Sequence, residues 1–299
     1  MGIWHTDTID LRTRGVMRRI SAMAPRAKKA IHNLNRRATF AGDDLDWPFQ
    51  HLCDRVRGRR GAAAPRLQIL ILHQRVAPRW LAQLNTPLAS RDVDVAVVAV
   101  NGLPGLDHAD MMYCLAEGFD CLLLEAPVNW TDRHYQGREA EIASLLGAGE
   151  RIILYRSDSH LRHALQVVGL AEGPAVPRRE RVFSPNAVAN RREAVACLAA
   201  VLSEPVTSEV PLPHGAPYGG VEIAPDKCSF CQACAWICPT AALSITDNGA
   251  GLRFDETACV QCGLCASVCD PAAIRLQPRL RVGADGPAAT FEVTLEANG

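Results

Sequence analysis

The sequence has no apolar stretch long enough to cross a membrane and no excess of charge of either sign. Its 32 Lys and Arg residues balance 32 Asp and Glu residues, so no bulk attraction for nucleic acid or for a membrane surface follows. A membrane-spanning helix needs about 20 apolar residues in a row. Residues 1–20 also lack the apolar core of a secretory signal. These absences predict a cytoplasmic protein with reduced thiols.

Aromatic residues and phosphate-binding loops are also scarce. Aromatic side chains make up 5% of the chain and are not interleaved with basic residues as base stacking requires, so RNA binding is not expected. Residues 101–105 contain neither G-x-G-x-x-G nor G-x-x-x-x-G-K, which argues against nucleotide binding there. His134 and Tyr135 have no accompanying nucleophile or carboxylate pair, so packing and helix capping are favoured over catalysis.

Cysteine, in contrast, is abundant and concentrated. Eight of the twelve cysteines lie between positions 228 and 269, in two runs of C-x2-C-x2-C-x3-C. A shift of 31 positions superposes the runs and carries residues 241–245 onto 272–276, so the region repeats one ligand loop and one following strand. The first run contains Cys228, Cys231, Cys234 and Cys238, and the second contains Cys259, Cys262, Cys265 and Cys269.

This spacing is typical of iron–sulfur ligation. Thiolates are soft ligands; three at C-x2-C-x2-C spacing surround one cubane, and the fourth ligates the other cluster. Zinc sites usually use two separated pairs of ligands, and disulfide frameworks are typical of short secreted chains, so both alternatives are disfavoured. We therefore expect two [4Fe–4S] clusters with crossed ligand sets. The first cluster takes Cys228, Cys231, Cys234 and Cys269, and the second takes Cys259, Cys262, Cys265 and Cys238.

Residues 221–277 resemble a bacterial-type ferredoxin domain with two [4Fe–4S] clusters. In that family a proline usually follows each fourth cysteine; Pro239 matches, whereas Asp270 separates Cys269 from Pro271. A carboxylate at that position is expected to lower the potential of the first cluster. The resemblance implies a small α+β dicluster domain, which we place at residues 221–299. Apolar runs predict its strands at 243–246, 252–254, 274–276 and 291–295.

Residues 63–205 alternate short apolar runs with helical patterns, which predicts an α/β domain with a parallel sheet covered on both faces. Asp107 is the expected cap of one helix, and Gly118 its stop. Prolines and glycines then predict a linker at residues 206–220. The expected strands are residues 67–73, 92–100, 119–125 and 151–155, and the expected helices are residues 107–117, 134–146, 160–168 and 191–202.

Three segments of this domain are similar to the delta-subunit family of methyl-viologen-reducing hydrogenase, namely residues 97–102, 117–125 and 133–141. Members of that family carry a [2Fe–2S] cluster and pass electrons between a hydrogenase and a heterodisulfide-reductase-type flavoprotein. At the positions where the resemblance places the family's cysteines, this chain has Asn101, Glu125 with Ala126, and Arg133. The resemblance implies an inherited fold from which the [2Fe–2S] cluster has been lost.

Residues 1–62 are read as a basic N-terminal arm. Nine basic residues and no acid lie between positions 11 and 42, and after Pro25 the apolar residues fall at helical spacing. Such a segment docks on an acidic partner or on an anionic membrane surface. A solvated tail, or a helix lying on the protein's own core, is the structural alternative, and the sequence leaves these interpretations open.

Four cysteines lie outside the two runs. Cys114, Cys121 and Cys197 are expected to be buried apolar side chains, whereas Cys53 lies in a charged segment that favours exposure. Trp236, inside the first run, either shields a cluster from water or belongs to a docking face.

Taken together, the patterns predict an electron-transfer subunit that relays electrons through two [4Fe–4S] clusters within a larger redox enzyme complex. The expected partners are a flavoprotein, a hydrogenase-like or formate-dehydrogenase-like enzyme, or a quinone oxidoreductase. The expected place is the cytoplasm or the inner face of the membrane. The alternatives are an iron–sulfur scaffold, assembly or redox-sensing protein, and an enzyme whose active site would need a cofactor pocket in the α/β domain.

Overall fold

A computed structural model describes residues 2–5, 9–10, 49–59, 67–74, 93–170, 191–203, 209–246, 249, 251–281 and 290–294. These residues fall into two compact units. The sheet unit contains the described residues between 2 and 170 together with 197–203, and the cysteine unit contains 191–196 and the described residues between 209 and 294. Most of the basic arm, residues 11–48, lies outside the described residues, so the helix expected there stays a prediction.

The sheet unit is built on parallel strands. Their order is β1-β4-β3-β5-β6 with β2 also beside β4, and each described pair is parallel. The α/β parallel-sheet class predicted for this part of the chain is therefore confirmed. The sequence patterns do not predict β1 and β2, which lie in the range assigned to the basic arm. The strands are β1 (Gly2–His5), β2 (Ile9–Asp10), β3 (Leu67–His73), β4 (Val93–Asn101), β5 (Cys121–Glu125) and β6 (Ile152–Tyr155).

Both faces of this sheet are covered. Along β3 the consecutive residues 69–72 are all fully buried, which requires partners on both sides because successive strand side chains point to opposite faces. On one face, Ile69 and Ile71 pack with Leu161 and Leu165 of a helix at residues 158–170. The unbroken apolar runs of β3 and β4 are those expected of a parallel sheet buried on both faces.

Helix boundaries follow the capping residues. The Asp107 side chain accepts hydrogen bonds from the backbone N–H groups of Ala109 and Asp110, and the Asp110 side chain accepts one from the Asp107 N–H, which completes a capping box. The predicted start and the stop at Gly118 are both confirmed. The helices of the described chain longer than one turn are α1 (Gln50–Arg59), α2 (His108–Glu117), α3 (Trp130–Ala143), α4 (Asp158–Leu170) and α5 (Arg191–Leu202).

Helix α3 begins four residues earlier than its apolar pattern suggests. Asn129 caps it by accepting hydrogen bonds from the N–H groups of Thr131 and Asp132, at 2.8 Å and 3.4 Å. His134 and Tyr135 therefore lie one turn inside the helix rather than at its start. The helix ends at Ala143 and continues as a π-helical turn, Ser144–Ala148, in which Gly147 has a φ of 106°.

The described residues of the cysteine unit from 209 onwards include two small antiparallel sheets and two short α-helices. One sheet has the order β7-β11-β8 and the other β12-β10-β9. The strands are β7 (Glu209–Pro211), β8 (Gly219–Ile223), β9 (Leu243–Ile245), β10 (Gly251–Asp255), β11 (Ile274–Arg281) and β12 (Thr290–Thr294), and the helices are α6 (Ala233–Trp236) and α7 (Leu264–Ser267).

The two repeats exchange strands. Strand β8, which precedes the first cysteine run, pairs with β11, which follows the second run. Strand β10, which precedes the second run, pairs with β9, which follows the first. The registers correspond under the shift of 31 positions, since Ile223 lies opposite Ile274 and Phe254 lies opposite Leu243. Each half of the unit thus depends on the other half for its sheet partner.

The segment expected to be a linker contributes a strand. Val210 of β7 lies opposite Leu280 of β11, and both side chains are buried. Beyond β7, Leu212 donates its N–H to the Pro278 carbonyl at 3.0 Å. The prolines and glycines between β7 and β8 thus belong to a segment that packs on the cysteine unit.

Candidate metal centre

The two ligand loops bend through residues with left-handed backbone. In the first loop Phe230 and Gln232 have φ of 52° and 63°, and in the second Gln261 and Gly263 have φ of 53° and 79°. Alternation of right-handed and left-handed residues turns successive backbone N–H groups towards one side, which forms the anion-binding concavity found in many Fe–S sites. Non-glycine residues avoid this conformation, so its recurrence at matched positions marks the loops as functional.

The first loop surrounds a cavity. The space is about 350 Å³, part of it open to solvent. Apolar side chains, including Ile223, Leu252 and Ile274, line much of its wall. The cysteines at its edge are Cys228, Cys231, Cys234 and Cys269. We call these four residues the first cysteine site.

The second loop surrounds a cavity of about 340 Å³, also partly open to solvent. Its apolar wall includes Val221, Leu243 and Phe254, which are the repeat counterparts of residues in the first wall. The cysteines at its edge are Cys238, Cys259, Cys262 and Cys265. We call these four residues the second cysteine site. The structure thus brings together, at each cavity, three cysteines of one run and the last cysteine of the other.

The thiols of the sites are partly withdrawn from water. Burial raises the pKa of Cys259 to about 11, and backbone and side-chain hydrogen bonds from Gln261 oppose that rise. Burial raises the pKa of Cys265 to about 12 and raises that of Cys234 as well. A desolvated thiolate is costly without a compensating positive charge, and bound iron would supply that charge.

Hydrogen bonds reach the sulfur atoms at both sites. Ala273 donates its N–H to Cys269 Sγ at 3.3 Å. Gln261 Nε2 donates to Cys259 Sγ at 3.4 Å and to the Gly220 carbonyl at 2.8 Å. Hydrogen bonds to cluster ligands raise reduction potentials by stabilising the more negative reduced state.

A charged network that no sequence pattern indicates lies beside the second site. Arg192 of α5 donates to the carboxylate of Glu256 at 2.7 Å and also to its backbone carbonyl. Arg279 donates to the other oxygen of that carboxylate at 2.9 Å. No local motif marks Arg192, which lies 36 positions before the first ligand cysteine; only the fold places it there.

The remaining residues singled out by the sequence are distributed as follows. Cys114 and Cys121 are buried as expected. Cys53 is fully buried, contrary to the charged character of its segment, because it lies on the inner face of α1 with Leu52 and Val56. Cys197 is exposed rather than buried, since it lies on the outer side of α5 while Leu198 and Ala199 face inwards.

Trp236 is 81% exposed. An indole in that position shelters little of the neighbouring cavity. Of the two sequence interpretations, the exposure favours a surface role over shielding.

The positions where the second resemblance expects cysteines all lie at the carboxyl edge of the parallel sheet. Asn101 ends β4, Ala126 directly follows Glu125 at the end of β5, and Arg133 lies in the first turn of α3. Glu125 accepts a hydrogen bond from the Gln74 N–H at 2.6 Å. Arg133 donates to the carbonyls of Pro127 and Val128, at 3.1 Å and 2.7 Å. The side chains of Glu125 and Arg133 thus form hydrogen bonds with the backbone of the loops that follow β3 and β5.

The donor set fits iron–sulfur chemistry. Eight cysteines around two cavities, with left-handed loops and hydrogen bonds to sulfur, match the requirements of iron–sulfur clusters.

One further observation concerns membranes. The helices in the described parts of the chain are all too short or too polar to span a bilayer.

Residues 220–270 match the family model for a 4Fe-4S dicluster domain. The match supports the ferredoxin-like domain recognised in the sequence and an iron–sulfur electron-transfer role for it. It does not extend into the sheet unit. No curated protein matches the chain significantly.

Proposed function

We propose that this chain is an electron-transfer subunit that carries two [4Fe–4S] clusters and passes electrons between redox enzymes in a larger complex. The observation that carries the proposal is the crossed arrangement of the cysteines, in which each cavity is edged by three cysteines of one run and the fourth of the other. A bound [4Fe–4S] cluster takes up and releases one electron without a substrate pocket. The first cysteine site holds one cluster and the second cysteine site holds the other.

The protein's own residues supply the surroundings of this relay. Apolar walls limit water at both cavities, and N–H donors from Ala273 and Gln261 reach ligand sulfurs. Cys234 of α6 belongs to the first site and Cys238, four residues later, belongs to the second, and four residues span at most about 14 Å. The two sites are therefore close enough to act as successive stations.

The geometry of the cysteine sites does not identify the redox partners, which are part of the proposal. A flavoprotein, a hydrogenase-like or formate-dehydrogenase-like enzyme, or a quinone oxidoreductase would donate or accept the electrons, in the cytoplasm or at the inner face of the membrane. Resemblance of the sheet unit to the delta-subunit family of methyl-viologen-reducing hydrogenase supports a hydrogenase and a flavoprotein. In this view Asn101, Ala126 and Arg133 replace the lost [2Fe–2S] ligands, and the sheet unit and basic arm serve for docking.

Iron content tests the number of clusters. Protein purified without oxygen is expected to contain about eight iron atoms per chain, because each of two cubanes contributes four. About ten iron atoms would reveal a surviving [2Fe–2S] site in the sheet unit, and about four would contradict the second cluster.

Cys269→Ser tests the crossed ligand sets. The substitution should weaken the cluster held by Cys228, Cys231 and Cys234, and leave the other intact, which electron paramagnetic resonance and iron analysis would show as the loss of about half the signal and iron. Cys197→Ser is the matched control, since this exposed cysteine lies outside both sites. Damage confined to the second cysteine site would refute the assignment.

Redox cycling separates the proposal from its alternative. A scaffold or assembly protein would release its clusters or unfold when they are reduced and reoxidised, whereas an electron carrier keeps both through repeated cycles.

A further inference from the structure

Because the cysteine unit contains an internal repeat, its two cysteine sites can be compared position by position. Left-handed residues recur at the same positions, with Phe230 matched to Gln261 and Ala241 matched to Ala272. The backbone before each first ligand is also the same: the Cys228 N–H donates to the Pro225 carbonyl, and the Cys259 N–H donates to the Glu256 carbonyl, both at 3.2 Å. Differences in side chains between matched positions therefore act on equivalent surroundings.

Two of those differences add positive character to the second site. Where the first loop has Phe230, the second has Gln261, whose amide donates to Cys259 Sγ. Where the first repeat has Pro225, the second has Glu256, whose carbonyl accepts hydrogen bonds from both Arg192 and the Cys259 N–H. The guanidinium of Arg192 is thus joined through a single carbonyl to the backbone of a ligand cysteine.

The charges of this network do not cancel within the buried region. Arg192 and Arg279 share one buried carboxylate, Glu256. A second carboxylate, Glu209, is 3.5 Å from Arg279, but its side chain is 43% exposed, so solvent screens its charge. Two guanidinium groups against one buried carboxylate leave a net positive charge, and Arg192 stays protonated because guanidinium does not titrate in proteins.

The first site has no equivalent donor among the residues at those matched positions. The charged side chains closest to its ligands along the chain are Asp226, Lys227 and Asp270; all three are exposed, so solvent screens their charges. The N–H of Ala273 does reach Cys269 Sγ, and Thr240 Oγ1 lies 3.8 Å from Cys238 Sγ at the second site. These two contacts are made to the matched sulfurs of Cys269 and Cys238 and leave the contrast between Gln261 with Arg192 and Phe230 with Pro225.

We propose that Arg192 and Gln261 give the second cysteine site the higher reduction potential, so that it is the electron-accepting station of the pair. This inference rests on the proposed function. A nearby buried positive charge and an N–H···S hydrogen bond both stabilise the more negative, reduced state of a cluster.

Substitutions that change the net charge in opposite directions test the inference. In a redox titration followed by electron paramagnetic resonance, Arg192→Gln should lower the higher of two reduction steps by at least tenfold in its equilibrium constant, about 59 mV for one electron. Glu256→Gln should raise the same step. The double variant Arg192→Gln/Glu256→Gln, which keeps the original net charge through Arg279, should return it close to wild type.

Two further variants complete the test. Gln261→Met removes the N–H donor without changing the charge, and it should also lower the higher reduction step. This variant tests the inference even if Arg192→Gln does not bind iron. Arg275→Gln is the matched control, since it removes an exposed arginine of β11 and should leave both steps unchanged because solvent screens its charge.

The outcomes separate this inference from the proposed function. Movement of the lower step, or of neither step, in variants that hold about eight iron atoms would overturn the inference alone. If Arg192 has only a structural role, Arg192→Gln should lower both the iron content and the signal. Arg192→Gln and Glu256→Gln would then not shift the higher reduction step in opposite directions. Wild-type protein without reducible clusters would overturn the proposed function and this inference with it.

Discussion

Single residues in the ligand loops hold a backbone conformation that most side chains avoid. Gly263 meets this requirement without strain, at φ 79°, whereas its repeat counterpart Gln232 adopts φ 63° with a side chain. A residue in the left-handed region costs about 1–2 kcal/mol more than glycine. The first loop therefore stores strain that the second loop avoids at this position.

Gly263→Ala is expected to lower the free energy of unfolding by about 1–2 kcal/mol and to speed the loss of visible cluster absorbance. Its new methyl group would lie 3.3 Å from Leu276 Cδ1, beside the second cysteine site. Gly249→Ala is the control: φ is 71° there, with open space around the added atom. The control should lose similar stability while keeping its clusters, and equal cluster loss in both variants would contradict a local effect at Gly263.

At the scale of single residues, the sequence predicts the cluster ligands well but does not predict the charged neighbour of the second site or the burial of every other cysteine. The eight cysteines are identifiable because cluster ligation imposes a fixed spacing along the chain. Arg192 is not, because an arginine in a helical pattern normally lies in solvent. The exposure of Cys53 and of Cys197 is also not predictable from the sequence, because it depends on which face of each helix is covered in the folded chain.

Among the elements, those with strong local signals agree with their predictions. Strand β3 occupies Leu67–His73 and helix α5 occupies Arg191–Leu202, as their apolar patterns predict. Helix α3 starts earlier because Asn129 supplies the cap, a polar signal outside the apolar pattern. Strands β1 and β7 escape prediction because they are short and gain their stability from pairing partners.

The cap of α2 provides a test at this scale. Asp107→Ala should lower the free energy of unfolding of the sheet unit by about 0.5–2 kcal/mol, because two backbone N–H groups lose their acceptor. Asp107→Asn keeps an acceptor oxygen and should retain most of the stability. Denaturant unfolding followed by circular dichroism measures both, and equal losses in the two variants would argue against capping as the cause.

For the whole molecule, the basic arm is the feature with the clearest consequence for partners. Its charge is concentrated between positions 11 and 42, although the chain as a whole is neutral. Charges exposed to solvent act over about 8 Å at physiological ionic strength. An acidic partner surface would therefore bind the arm in a salt-dependent way.

Purification from native cells without oxygen and at low salt should recover a stoichiometric flavin, nickel or molybdenum enzyme, and raised salt should release it. Replacing Arg18, Arg19, Lys28 and Lys29 by Gln should weaken the complex at low salt, while Arg162→Gln on the surface of α4 should not. A complex that resists both salt and the four substitutions would rule out electrostatic docking by the arm. Recovery of maturation factors alone would favour the assembly function.

The sequence by itself determined the cysteine runs, their repeat and the alternation of strands and helices, because each of these is written in local spacing. Only the tertiary structure decided that β8 pairs with β11 and that Arg192 lies beside Glu256. Those features join residues 51 to 64 positions apart, and they form because buried strands and buried charges must find partners. Local patterns contain no information about which partner is found, so the difference between the two cysteine sites emerges only in the folded chain.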